Sequence, residues 1–295
     1  MSLADTIVAQ TLPTELETRR TCDCPPSHLN CMTAKEWLKC QLGVWQFNYC
    51  GRDIRDKRVH PATFPISLAT RVIELFTHRG ELVLDPFVGS GTTLVAAQDT
   101  GRNAVGFDLS EEYILLARSR LGMATDLSQQ LAIADDARNI PNHLYADSVA
   151  LIFTSPPYAN LLNRKRLNKS RRRRKNYQYE QVEQYSQDER DLGTLSLDAY
   201  TQEMASIYLD LLPLLRPGAH CVINVPDMWW DDQRITIHVS LIDALRKIGY
   251  EFRNTIIWDR TNIVNKVGIF GWPSNYITMG TTFEYLLNFR KPSND

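Results

Sequence analysis

The pattern of apolar and polar positions changes character along the chain. Up to about residue 50 it is mixed: Pro13, Pro25 and Pro26 interrupt any long helix, and Trp37, Leu38, Leu42 and Trp45 are spaced to give one helix an apolar face. From Pro65 a helix is well specified. Proline suits its first turn, Leu68, Val72, Ile73, Leu75 and Phe76 form a stripe, and Gly80 ends it. Short apolar runs at 82–84, 104–107, 131–133 and 149–153 then read as buried strands, with helical stretches after the first two. This alternation predicts an α/β fold with a parallel sheet. An amphipathic helix over 197–215 closes at Arg216-Pro217-Gly218, a fifth strand follows at 221–225, and a further helix lies near 239–247. Two more strands, 252–258 and 283–289, flank a loop rich in Gly, Asn and Pro, and no internal repeat is present.

Charge alters this picture in one place. Arg164, Lys165, Arg166, Lys169, Arg171, Arg172, Arg173, Arg174 and Lys175 leave few uncharged positions between them, so this run cannot pack and reads as a solvated loop unless a polyanion orders it. The whole 295-residue chain has a formal net charge of −1, so attraction to nucleic acid must come from such a local patch. Its apolar share of 43% suffices for a real core. No basic-then-apolar leader is seen, and no uncharged apolar run reaches the ~18 residues of a membrane span, so a soluble cytoplasmic protein without a membrane partner is expected. Six cysteines without a secretory signal do not suggest a disulfide framework. Cys22, Cys24, His28 and Cys31 could form a metal site, but they lack the paired spacing of common zinc modules; free thiols and no metal are expected.

Between the first strand and the next helix stands Asp85-Pro86-Phe87-Val88-Gly89-Ser90-Gly91-Thr92-Thr93, at the sheet edge where ligands bind. Gly89 and Gly91 permit a tight turn and close approach of a ligand, and the helix offers unpaired N–H groups. A phosphate loop would need Gly-Lys-Ser/Thr and has no counterpart here; the third glycine of a dinucleotide fingerprint is also missing. Asp108, ending the second strand, is placed to accept hydrogen bonds from ribose hydroxyls. The loop and this acid together suggest a nucleoside cofactor; a plain tight turn and helix cap is the lesser alternative if these residues stand alone.

The fourth strand ends in Thr154-Ser155-Pro156-Pro157-Tyr158. With the glycine loop, it resembles the amino-methyltransferase family of DNA methyltransferases, whose signature is such a loop plus an Asp/Asn/Ser-Pro-Pro-aromatic tetrapeptide. His60-Pro61-Ala62-Thr63-Phe64-Pro65 is similar to the family's segment over the cofactor, Asp135-Asp136-Ala137-Arg138 to its third-strand acid, and Phe283-Glu284-Tyr285 to its last strand. The resemblance covers about residues 57–292. It implies a Rossmann-like class I methyltransferase fold, a mostly parallel seven-stranded sheet with an antiparallel final strand. It implies S-adenosyl-L-methionine as cofactor, held by His60, Pro61, Thr63, Phe64, Asp85, Phe87, Gly89, Ser90, Gly91, Thr92, Asp108, Asp136 and Ala137. Ser155 and the Pro156 carbonyl would accept the hydrogens of an exocyclic amino group, making its nitrogen more nucleophilic. Pro156 and Pro157 would stiffen the backbone, and Tyr158 would stack on a base flipped from the duplex.

Serine in the first tetrapeptide position resembles the cytosine-N4 branch rather than the adenine-N6 branch. No Pro-Cys-Gln element of the carbon-5 enzymes is present, and Cys221 reads as a buried small residue within a strand. Residues 1–56 are expected to form an N-terminal helical cover and 57–295 the catalytic domain, with double-stranded DNA as partner. The basic loop 160–195 would contact phosphates. A loop at 260–281, with Asn262, Asn265, Lys266 and Trp272, could read sequence. An N6-adenine DNA methyltransferase is the first rival reading, followed by an RNA or protein-glutamine methyltransferase and a non-catalytic DNA-binding subunit. A separate restriction endonuclease and the oligomeric state are not legible.

Overall fold

The computed structural model describes residues 19–56, 64–122, 128–158, 188, 190–230, 233–263 and 281–293. The first elements are α1 (Ala34–Cys40), β1 (Val44–Gln46) and α2 (Gly51–Asp56), followed by α3 (Ile66–Phe76). An alternating stretch comes next: β2 (Leu82–Asp85), α4 (Thr92–Thr100), β3 (Asn103–Asp108), α5 (Glu111–Arg120), β4 (Gln130–Ala134) and β5 (Val149–Thr154). It is succeeded by α6 (Leu197–Leu211), β6 (Leu215–Val225), the short hairpin β7 (Met228–Trp230) and β8 (Gln233–Ile235), α7 (Ile237–Lys247), β9 (Glu251–Asp259) and β10 (Phe283–Arg290).

Eight strands form one sheet in the order β1-β9-β10-β6-β5-β2-β3-β4. All neighbours run parallel except β10, which is antiparallel to both β6 and β9. The chain moves outward from β2 through β3 to β4, then returns to lay β5 on the other side of β2. That reversal opens a crevice above the carboxyl ends of β2 and β5, where a doubly wound sheet takes its ligand. One face of the sheet is covered by α3, α4 and α5, the other by α6, α7 and a 3-10 turn at Ala137–Asn142. The α3 stripe is the reason for its place: Leu68, Ala69, Val72 and Ile73 are fully buried.

Three departures from the sequence pattern have physical causes. The expected apolar helix face near residue 40 does not form, because a Thr33/Glu36 capping box starts α1 late and the helix ends at Cys40 with no buried residue. Leu38 and Leu42 are exposed, whereas Trp45 is buried on β1, which adds an eighth strand beyond the seven expected by pairing with β9. Helix α6 stops at Leu211 because Pro213 cannot continue its hydrogen bonding, and Pro217-Gly218 lies within β6 as an irregularity between the Leu215 and His220 pairings. The β7–β8 hairpin has strands of three residues each, too short for a period-two signal. No helix among the described residues is long and apolar enough to cross a membrane.

Candidate active site

The crevice encloses about 950 Å³ including solvent. Its floor is the glycine loop and the end of β3. Asp108 Oδ2 accepts from the Gly89 N–H at 2.9 Å and Oδ1 from the Ser110 N–H at 2.9 Å, so the carboxylate ties the loop to the start of α5. A carboxylate has about four lone-pair sites, which leaves acceptor capacity for a ligand. Burial pushes the Asp108 carboxyl up to about 6, against the pull of those two N–H groups. Asp85, at the end of β2, is also pushed up to about 6 by burial; it accepts from the Thr93 hydroxyl at 2.5 Å and the Phe87 N–H at 3.1 Å.

Of the expected cofactor residues, Phe64, Asp85, Phe87, Gly89, Ser90, Thr92, Asp108, Asp136 and Ala137 line this crevice together. Gly91 does not. It caps α4 with φ +83°, and a Cβ there would lie 2.7 Å from Ala117 Cβ on α5, so its glycine serves helix packing. Asp136 accepts from the Arg138 N–H at 2.9 Å and pairs with its guanidinium at 2.9 Å, capping the 3-10 turn. His60, Pro61 and Thr63 lie outside the described residues, as do the basic run 164–175 and most of the 260–281 loop. Asn262, at the described start of that loop, donates to the Phe47 carbonyl at 3.1 Å and to Asn48 at 2.9 Å, and so holds the N-terminal segment.

Ser155, Pro156, Pro157 and Tyr158 form another wall of the same crevice, following directly from β5. The Ser155 and Tyr158 hydroxyls are 2.8 Å apart, and Tyr158 is 9% exposed. Asn224, buried at the end of the neighbouring β6, donates to Ser155 Oγ at 3.4 Å and to Glu284 at 2.7 Å; Glu284 in turn pairs with Arg260. Asn224 Oδ1 is buried and has no hydrogen-bond partner among the described residues. The sequence carried a signal for this residue that went unused: a lone amide within the apolar run Cys221-Val222-Ile223-Asn224-Val225. Leu109, Tyr113, Asp191 and Leu192 also line the crevice and were not foreseen.

The electrostatics select among ligands. Asp85, Asp108, Asp135, Asp136 and Asp191 all line the crevice, while its arginines are engaged, Arg138 with Asp136 and Glu203 and Arg190 with Asp188. A cleft of that sign disfavours a phosphate-bearing nucleotide and suits a nucleoside carrying positive charge.

The DNA methylase family model N6_N4_Mtase matches residues 15–119. Among curated relatives, the type II methyltransferase M.MthZI of Methanothermobacter thermautotrophicus is 36% identical over 90 residues, 30% of this chain and 24% of its own length. The putative methylase YubD of Escherichia coli K12 is 43% identical over 79 residues, 27% of this chain and 35% of its own. The chain thus aligns with about a quarter to a third of the length of these relatives. Among solved structures, TrmN from Thermus thermophilus has a TM-score of 0.48 at 19% identity, covering 80% of this chain and 52% of its own.

Proposed function

We propose that this chain, which its family match and curated relatives group with the amino-methyltransferases among DNA methylases, uses S-adenosyl-L-methionine to methylate the exocyclic N4 amino group of cytosine in double-stranded DNA. The observation that carries the reading is that the Ser-Pro-Pro-Tyr wall, the glycine loop and Asp108 at the end of β3 meet in one acidic crevice. The donor set fits the cofactor: Asp108 has spare acceptor capacity for ribose hydroxyls, Phe64, Phe87 and Tyr113 offer apolar surface, and the carboxylates suit a sulfonium and an amino group. When bound, the cofactor supplies an electrophilic methyl on sulfur.

The chain's own residues do the rest. Asn224 donates to Ser155 Oγ, which also lies 2.8 Å from the Tyr158 hydroxyl; with the serine hydroxyl donating to Tyr158, a lone pair is left to accept one amino hydrogen of the base. The Pro156 carbonyl accepts the other. Holding both hydrogens would favour a pyramidal, more nucleophilic nitrogen, and the paired prolines keep the acceptors fixed. The target base must leave the stack at a cost of a few kcal/mol, part of which stacking on Tyr158 offsets. Arg164 to Lys175 would neutralise phosphates beside it. The deciding experiment is methylation of random-sequence DNA with labelled cofactor, followed by nucleoside mass spectrometry. N4-methylcytosine is expected; N6-methyladenine would move the specificity to the other branch, and no labelled base would overturn the activity.

A further inference from the structure

Outside the crevice, the N-terminal segment and the turn after α3 bring four metal-binding side chains to one point. Cys22 Sγ lies 3.3 Å from Cys31 Sγ and 3.3 Å from His78 Nδ1, and Cys31 Sγ lies 3.6 Å from His78 Nδ1. Cys24 Sγ joins them, with all four ligand atoms within 4.8 Å of one another. Zinc–sulfur and zinc–nitrogen bonds of about 2.3 and 2.0–2.1 Å in a tetrahedron separate ligand atoms by roughly 3.6–3.8 Å, close to these distances.

The backbone is shaped for the same end. Leu29 and Met32 exchange hydrogen bonds of 2.9 and 2.8 Å around Asn30 and Cys31, whose φ values are 46° and 74°. Two left-handed residues in succession make a type I′ turn, whose second position ordinarily holds glycine. Cysteine stands there instead, and its side chain turns into the cluster. Further bonds seat the segment on the end of α3: Asn30 Nδ2 donates to the Leu75 carbonyl at 2.6 Å and the Thr21 N–H to the Arg79 carbonyl at 2.8 Å. Arg20 places its guanidinium 3.3 Å from Cys22 Sγ.

We infer that Cys22, Cys24, Cys31 and His78 form a structural zinc site that fastens the N-terminal segment to the end of α3. The sequence offered His28 as the fourth ligand and, lacking the paired spacing of zinc modules, led to an expectation of free thiols; in the structure the fourth side chain is His78, 47 residues beyond Cys31. On binding, three thiols release their protons to solvent and donate sulfur lone pairs to Zn²⁺; nothing is oxidised or reduced. Three thiolates leave the centre with a single negative charge beside the Arg20 guanidinium, and four protein ligands leave no open position for catalysis.

The test measures metal in the full chain, purified under reducing conditions, incubated with zinc and desalted. One zinc per chain is expected, lost in Cys31→Ser and His78→Ala and kept in His28→Ala and Cys50→Ser. Because a ligand substitution can itself unfold the chain, cobalt loading of the unsubstituted protein gives a second reading: intense visible absorption from tetrahedral thiolate coordination. A zinc-free chain whose Cys22, Cys24 and Cys31 all react with a thiol reagent in the native state would overturn the inference. So would retention of zinc by His78→Ala, or a two-hydrogen mass loss marking a Cys22–Cys31 disulfide.

Discussion

At Asp108 a single carboxylate links loop, helix and ligand. Burial raises its folded pKa from 3.8 to about 6. Between those values the folded chain holds a proton that the unfolded chain releases, so this group's contribution to stability falls as pH rises through that window. Cofactor binding should run the opposite way, because an ionised acceptor makes the stronger hydrogen bond, about 1.5–3 against 0.5–1.5 kcal/mol. Affinity for S-adenosylmethionine should therefore strengthen from pH 5 to 7, and Asp108→Asn should weaken and flatten that profile in calorimetry; an unchanged profile would assign the titration to Asp85. Ser155 is expected to act on the base and not on the cofactor. A hydrogen bond of about 1.4 kcal/mol made in the transition state is tenfold in rate, so Ser155→Ala should lower kcat by about tenfold with cofactor affinity unchanged. Equal loss of both would make the tetrapeptide structural. These residues were legible because their chemistry sits in contiguous motifs. Asn224 and His78 were not, since their partners arrive from distant segments that only the folded chain brings near.

Among the elements, the α4–α5 packing depends most on one position. Gly91 combines φ +83° with the approach to Ala117, so Gly91→Ala meets two penalties, about 1–2 kcal/mol for the left-handed backbone and about 1–3 kcal/mol for overpacking. Denaturant unfolding should show a loss of about 2–5 kcal/mol. Adding Ala117→Gly should recover only the packing part, and full recovery would mean that the backbone carries no strain. The strands β2, β3 and β5 were readable in the sequence because they are buried, continuous apolar runs, and helix α3 because its buried stripe is strongly periodic. The end of α6 was misplaced by four residues, since Leu212, Leu214 and Leu215 continue its apolar pattern and Pro213 alone marks the change. The eighth strand, β1, was hidden because three residues centred on Trp45 carry no period of their own.

Across the whole molecule, a net charge of −1 leaves the run at 164–175 as the obvious electrostatic handle on DNA. Every phosphate that is no longer neutralised should lower the slope of log affinity against log salt by about 0.9 on duplex DNA. Replacing Arg171, Arg172, Arg173 and Arg174 with serine should weaken binding and flatten the slope while the preferred sequence stays the same. An untouched slope would free the run from DNA, and a changed sequence preference would make it a reader of bases. The sheet order has a separate consequence for how this chain comes to exist. Last in chain order among the described strands, β10 is the bridge between β6 and β9, and β9 in turn carries β1. During translation the edges of β6 and β9 that face β10 therefore wait unpaired until β10 itself has left the ribosome. A nascent chain stalled before Phe283 would carry two open strand edges, the form most exposed to mispairing and to capture by chaperones.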